Sequence, residues 1–214
     1  MKDGEIAAMR QDYTIGELLE SSASPEPWEL FSSWFEIARN TKILEPNAMI
    51  LSTVTQDGQP TSRVVLLKDF DQSGLVFFTN YLSQKGEQLA HSPRASILFW
   101  WESLQRQIRI EGEVVKIGER ESDTYFQSRP YGSRLGAWVS EQSQPIVDRT
   151  VLEKRQIEFE KKFAEGKVPR PDHWGGYRLT PNKFEFWQGR SNRLHDRLLY
   201  QMQQDAWTRD RLAP

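Results

Sequence analysis

Two textures of apolar and polar residues alternate along the chain. Between Ser24 and Asn40, Trp28, Phe31, Phe35 and Ala38 recur at three- and four-residue intervals behind Ser24 and Pro25, which predicts an amphipathic helix. A capping-box pattern from Thr14 to Glu17 in TIGELLESS predicts another helix before it. From Ala48 the texture changes to short β-rich runs. AMILSTVT, TSRVVLLKDF and LVFFTN, separated by the turn signals QDGQP and DQSG, predict an antiparallel meander. SQKGEQLAHSP reads as a short helix capped by Ser83, after which RASILFWW and QIRIEGEVVKI resume strands. Residues 119 to 165 are helical in pattern, including TVLEKRQIEFEKKFAEG with its charged face and terminal glycine. Strands return in WGGYRLT, KFEFWQG, RLLYQMQ and AWTRDRL.

No internal repeat or low-complexity linker interrupts this order, so residues 1–214 are expected to form a single domain with a helical segment at 1–41. Strand and helix do not alternate as in a doubly wound sheet, and neither G-x-G-x-x-G nor the P-loop pattern occurs. The order of elements predicts a mostly β protein with added helices, an antiparallel barrel of the α+β class.

Composition narrows the chemistry. Charged residues are 27% of the chain and hydrophobic ones 37%, with eight Trp and eleven Phe, which describes a globular protein with an aromatic-rich interior. The net charge of −2 supplies no overall field toward nucleic acid or an anionic membrane, so any anion binding must be local. Cysteine is absent, which excludes disulfides, thiolate metal sites and a cysteine nucleophile, and leaves redox chemistry to a borrowed cofactor. The start, MKDGEIAAMRQD, lacks the apolar core of a signal peptide, and no later stretch is apolar enough to span a membrane; a cytoplasmic protein is expected.

Several clusters could hold an anion. RVVLLK puts Arg63 and Lys68 at odd spacing, hence on opposite faces if the strand continues; strand-end charges reaching water would look the same. QSRPYGSRLGAW places Arg129, Ser133 and Arg134 near Tyr125, a set of donors suited to a phosphate or simply a charged helix surface. In RQIRIEGEV, Gln107, Arg109, Glu111 and Glu113 face away from Ile108, Ile110 and Val114, as a polar outer face would. His91 and His173 have no second ligand at metal spacing, so no metal site is expected. WQGRSNRLHDR concentrates a tryptophan, three arginines and a histidine; if extended after its turn signal, Arg193, His195 and Arg197 share one strand face, with the outer two about 13 Å apart. A structural histidine paired with Asp196 or Glu185 is the other reading of His195.

Taken together, RVVLLK, FFTN, SQKG, RQIRIEG, YFQSRP, WGGYRL, EFWQG, NRLHDR and the terminal DRLAP resemble the pyridoxine (pyridoxamine) 5′-phosphate oxidase family, in that family's order and over nearly the whole chain. The resemblance implies an FMN-binding split β-barrel, a homodimer with both chains contributing to each site, and an N-terminal segment covering that site. By motif position it implies FMN contacts at Arg63, Val64, Val65, Leu66, Lys68, Phe78, Thr79, Lys85, Gln107, Gln142, Ser143, Trp187 and Arg197. Lys68, Tyr125, Arg129 and Ser133 are implied as the clamp on the substrate phosphate. Arg193 and His195 are implied as the catalytic pair over the substrate ring, with Arg10 and Tyr13 covering it. One departure is visible: where the family commonly has arginine in this block, the chain has Gln84, one cation fewer near the expected cofactor phosphate.

The implied reaction is oxidation of pyridoxamine or pyridoxine 5′-phosphate to pyridoxal 5′-phosphate, with hydride passing to FMN and oxygen giving hydrogen peroxide. Two other classes stand beside it. One is a non-catalytic flavin or pyridoxal-phosphate binding protein, against which the retained Arg193, His195 and phosphate cluster argue. The other is a different split-barrel flavin reductase, which has no need of the NRLHDR block.

Overall fold

The computed structural model describes residues 5–9, 11–164 and 166–214. Among them the β-rich runs become nine strands: β1 (Ala48–Val54), β2 (Pro60–Leu66), β3 (Asp69–Asp71), β4 (Gly74–Asn80), β5 (Arg94–Trp101), β6 (Arg106–Lys116), β7 (Trp174–Gln188), β8 (Asp196–Gln203) and β9 (Ala206–Arg211). The α-helices are α1 (Glu5–Ala8), α2 (Pro27–Asn40), α3 (Gln84–His91), α4 (Glu119–Ser128), α5 (Tyr131–Val139) and α6 (Thr150–Lys162).

The strands join in the order β2-β1-β5-β6-β7-β4-β3, with β8 on β7 and β9 on β8. The expected meander breaks inside TSRVVLLKDF: β1 pairs with β2 and β3 with β4, but β2 and β3 end at opposite edges of the sheet, because β4 takes β7 as its other antiparallel neighbour. Side chains explain the choice. Six of the seven β4 residues are buried, so this strand needs cover on both faces, whereas β2 is exposed at alternate positions and tolerates an edge.

Contacts divide the chain into two units. The first comprises Met1–Met49, Ile97–Glu111 and Pro181–Pro214. Its α2 carries proline in the first turn, where no amide donor is needed, and buries Pro27, Leu30, Phe31, Trp34 and Ala38. The stripe centres on Leu30, Phe31 and Trp34, with Trp28 and Phe35 at its flanks. Phe31 meets Phe99 at 5.6 Å and Trp34 meets Phe186 edge-on at 5.3 Å, each ring contributing roughly 1.5 to 3 kcal/mol of burial. TIGELLESS does not form the expected helix. The Leu18 N–H, which a helix would return to Thr14, donates to Asp196 Oδ2 at 3.0 Å, and the Thr14 and Ile15 N–H groups both donate to Gln105 Oε1. Buried Leu18 anchors the segment in that course.

The second unit comprises Ile50–Ser96 and Gly112–Thr180. Here α3 starts as expected, with Ser83 Oγ accepting the Gly86 N–H. Gly86 is required because a Cβ would lie 2.2 Å from the Tyr81 carbonyl oxygen. In the β4–β7 ladder Phe78 faces Gly176, and a Cβ there would come within 2.9 Å of the Phe78 ring. That bare position leaves room for Phe78 to stack on Tyr125, at 3.9 Å, and on Trp174, at 5.4 Å, against a core of Phe126 and Val168.

Candidate active site

A cavity of about 820 Å³ opens in the second unit. The end of β2 brings Arg63, Val64, Val65 and Leu66 to it, and the following turn brings Lys68. From β4 come Phe78 and Thr79, from α3 Lys85, from α4 and the bend after it Tyr125 and Arg129, and from α5 and beyond Ser133 and Gln142. The expectation that Arg63 and Lys68 point to opposite faces is corrected. β2 ends at Leu66, and the Lys68 N–H turns to Val76 O at 2.9 Å, so the alternation never reaches Lys68 and both cations line one cavity.

The wall holds Arg63, Lys68, Lys85 and Arg129 and, among the described residues, no carboxylate. Lys85 Nζ donates to Thr79 Oγ1, Ser83 Oγ and Gln142 Oε1, each at 3.2 Å, all neutral acceptors. Burial first, and the nearby Arg63 charge second, bring the Lys85 amine down to about 8. Arg129 lies 4.5 Å over the Trp174 ring, with burial lowering its pKa, and its Nη1 is buried with no partner among the described residues. Lys68 Nζ stands 6.0 Å from the Tyr125 ring. One set of cations thus gathers around Thr79 and Gln142, the other around the Phe78–Tyr125–Trp174 aromatic stack. Cations in a wall without carboxylates among the described residues, three of them partly desolvated, are suited to phosphate groups flanking an aromatic ring.

A second cluster lies in the first unit. Trp187 and His195 are 4.6 Å apart, and Tyr13 contacts both at 5.7 Å. Tyr13 settles against Gly189, where a Cβ would meet its ring at 2.8 Å. The segment through Arg193 is not extended, which corrects the shared strand face. Ser191–Arg193 form a 3-10 turn, Asn192 and Arg193 are left-handed at φ 56° and 61°, and β8 begins only at Asp196. His195 does not pair with Glu185 or Asp196. Its Nδ1 accepts the Arg190 N–H at 3.1 Å, which leaves the proton of a neutral ring on Nε2, and burial and Arg193 favour that neutral form. Buried Glu185 is held between Arg109 and Arg197, and Arg197 also donates to Ala213 O at 2.9 Å.

Other expected residues lie elsewhere. Gln107 is half-buried on β6 in the first unit, and Ser143 is exposed at φ 75° outside the cavity lining. Gln84 is exposed at the first position of α3 and does not line the cavity. Arg10 lies outside the described residues. Sequence reasoning missed Trp174, which forms a cavity wall and supports Arg129; the tryptophan before the Gly175–Gly176 pair was its only signal. It also missed Gln88, which nothing in the local sequence marks.

An antiparallel sheet with helical additions and a cavity lined by arginine and lysine defines a protein of the FMN-binding split-barrel fold. A solved structure from Nostoc punctiforme, described as a pyridoxamine 5′-phosphate oxidase-related, FMN binding protein, shares that fold at a TM-score of 0.70 and 19% identity, covering 90% of this chain and 100% of the other. The family described as "Pyridoxamine 5'-phosphate oxidase" matches residues 36–162, and the "Pyridoxine 5'-phosphate oxidase C-terminal dimerisation region" matches residues 174–214. The chain belongs to the pyridoxamine 5′-phosphate oxidase family and is an oxidoreductase. It is 55% identical to the pyridoxine/pyridoxamine 5′-phosphate oxidase of Nostoc sp. over 99% of this chain and 100% of the relative. It is 54% identical to that of Bordetella pertussis over 98% and 99%. The solved structure of PhzG from Burkholderia lata 383, in complex with tetrahydrophenazine-1-carboxylic acid, superposes at a TM-score of 0.87 with 34% identity, covering 94% and 99%.

Proposed function

We propose that the protein binds FMN and oxidises pyridoxamine 5′-phosphate or pyridoxine 5′-phosphate to pyridoxal 5′-phosphate, with oxygen as acceptor and hydrogen peroxide as product. The observation that carries this reading is the cavity with two separate cation sets and, among the described residues, no carboxylate, since cofactor and substrate are both phosphate esters of flat aromatic rings. The buried, partnerless Nη1 of Arg129 is a donor awaiting an acceptor and fits such a ligand. In this reading Arg63, Thr79, Lys85 and Gln142 hold the FMN phosphate side, and Val64 to Leu66 and Phe78 line its path. The chemistry that FMN would supply there, when bound, is a hydride acceptor that oxygen can reoxidise.

The chain's own residues then position and enclose the substrate. Lys68, Tyr125, Arg129 and Ser133 clamp its phosphate through charge-assisted hydrogen bonds. We further assign Arg193 and His195, the latter in contact with Tyr13, to the substrate ring, His195 offering the Nε2 proton as a donor. Trp187, Arg197, Gln107 and Ser143 complete the cofactor contacts. The dimerisation region supports a homodimer, and in this reading each site draws on both chains. Among the described residues no helix is long and apolar enough to cross a membrane, and we assign the enzyme to the cytoplasm.

Anaerobic mixing of FMN-loaded protein with pyridoxamine 5′-phosphate tests the assignment. Flavin absorbance should bleach, then return with peroxide when oxygen is admitted. No bleaching by either phosphorylated substrate would remove the reading, and bleaching by a nicotinamide donor alone would favour the flavin-reductase class.

A further inference from the structure

Arg63 is held by an unusual set of partners. Its Nη1 donates to Leu51 O at 3.1 Å, Thr53 Oγ1 at 2.6 Å and Thr61 O at 3.3 Å, and its Nη2 to Thr61 Oγ1 at 2.7 Å and Gln88 Oε1 at 3.2 Å. Every acceptor is neutral. Gln88 lies on α3 three residues after Lys85, which brings both side chains to one helix face. It is 5% exposed, and its Oε1 also accepts from Thr53 Oγ1 at 2.5 Å and Thr61 Oγ1 at 2.9 Å. A single amide oxygen therefore gathers three donors and fixes the fork of Arg63.

The other half of that amide is left over. Gln88 Nε2 is buried and has no hydrogen-bond partner among the described residues. An isosteric glutamate would remove the orphaned N–H groups, keep an acceptor for both threonines and form an ion pair with Arg63. A carboxylate would, however, neutralise Arg63, and an arginine already paired binds an incoming anion poorly.

We infer that Gln88 is a positioning residue whose neutrality matters: it orients the Arg63 guanidinium through a carbonyl-type oxygen and leaves the positive charge uncommitted for the phosphate of the cofactor. This rests on the proposed placement of the FMN phosphate near Arg63 and Lys85. Gln88 touches no ligand in this scheme. It selects for the phosphate ester by what it does not do to Arg63.

The test compares FMN with riboflavin, which lacks the phosphate, by fluorescence titration of apoprotein carrying Gln88→Glu or Gln88→Leu. In wild type, FMN should bind far more tightly than riboflavin; equal affinities would overturn the phosphate placement and this inference with it. Gln88→Glu should weaken FMN about tenfold or more while riboflavin affinity stays within about twofold. Gln88→Leu, which removes the acceptor and adds no charge, should weaken FMN less than Gln88→Glu does, again sparing riboflavin. Parallel losses of both flavins would make Gln88 a support of the fold, and unchanged FMN binding in Gln88→Glu would deny it any part; either overturns the inference while leaving the FMN assignment standing. If Gln88→Glu does not fold, Gln88→Leu decides: a loss confined to FMN sustains the inference, and an equal or absent loss ends it.

Discussion

Replacing Lys85 with methionine should abolish a pH dependence that the cavity builds into cofactor binding. Burial and the Arg63 charge bring this amine from 10.5 to about 8. Holding it charged at neutral pH therefore costs the ligand-free protein up to about 3 kcal/mol, nearer ~2 once solvent at the cavity mouth is allowed for. The unfolded chain retains its proton between about 8 and 10.5 while the folded chain has released it. In the ligand-free protein the Lys85 penalty is thus fully present below about 8 and is relieved as pH rises toward 10.5, so this group makes stability increase over that window. A bound phosphate reverses the local field and restores the proton. FMN affinity should be flat below about 8 and then fall with rising pH, by up to about tenfold per pH unit, as binding must take up a proton. Fluorescence titrations of apoprotein from about pH 6.5 to about pH 9.5 would read this. Lys85→Met should bind FMN roughly ten- to a hundredfold more weakly at neutral pH, with no break near 8. A wild-type profile flat through 8, or an unchanged slope in Lys85→Met, would refute the reasoning.

Three other outcomes are expected. Arg129→Ala should weaken the phosphorylated substrate about ten- to a hundredfold and FMN much less, measured as separate dissociation constants; equal losses would make Arg129 a support for Trp174 alone. Arg193→Ala and His195→Ala should slow anaerobic flavin reduction while leaving FMN stoichiometry and reoxidation by oxygen unchanged; wild-type reduction in both would return them to structural roles. Glu185→Ala removes the carboxylate that Arg109 and Arg197 share, leaving them only Glu111 and the Ala213 carbonyl, and should lower stability by about 2 to 4 kcal/mol in urea denaturation, with a loss below about 0.5 kcal/mol showing that solvent already screens the pair.

The elements most legible in the sequence are those whose causes are local. Ser83 caps α3 because its hydroxyl and the Gly86 amide lie three residues apart, and β6 alternates because its own residues do. The same holds for the cavity lining from Arg63 to Ser133, once the motifs are taken in order. What escaped depends on partners far along the chain. TIGELLESS carries a sound capping box, yet Gln105 and Asp196 draw its amides away from a helix. β2 and β3 part to opposite edges of the sheet because β4, buried at six of its seven positions, takes β7 as its second neighbour, where Gly176 leaves room for the Phe78 ring. The face proposed for Arg193, His195 and Arg197 assumed a regular strand, and alternation carries no warning of two left-handed residues in succession.

Those two residues set the site against the durability of the molecule. Neither Asn192 nor Arg193 is a glycine, and each left-handed L-residue of this kind costs on the order of 1 kcal/mol. Mutations that relax this bend, glycine at 192 foremost, are among the simplest ways to make the protein hardier, and they act two or three residues from the histidine fastened to the Arg190 amide. A selection for heat resistance alone would be drawn to this turn and would collect variants whose His195 is less firmly aimed. A selection that also demands turnover should leave the turn untouched and harvest its stability elsewhere, for instance on the exposed face of α6.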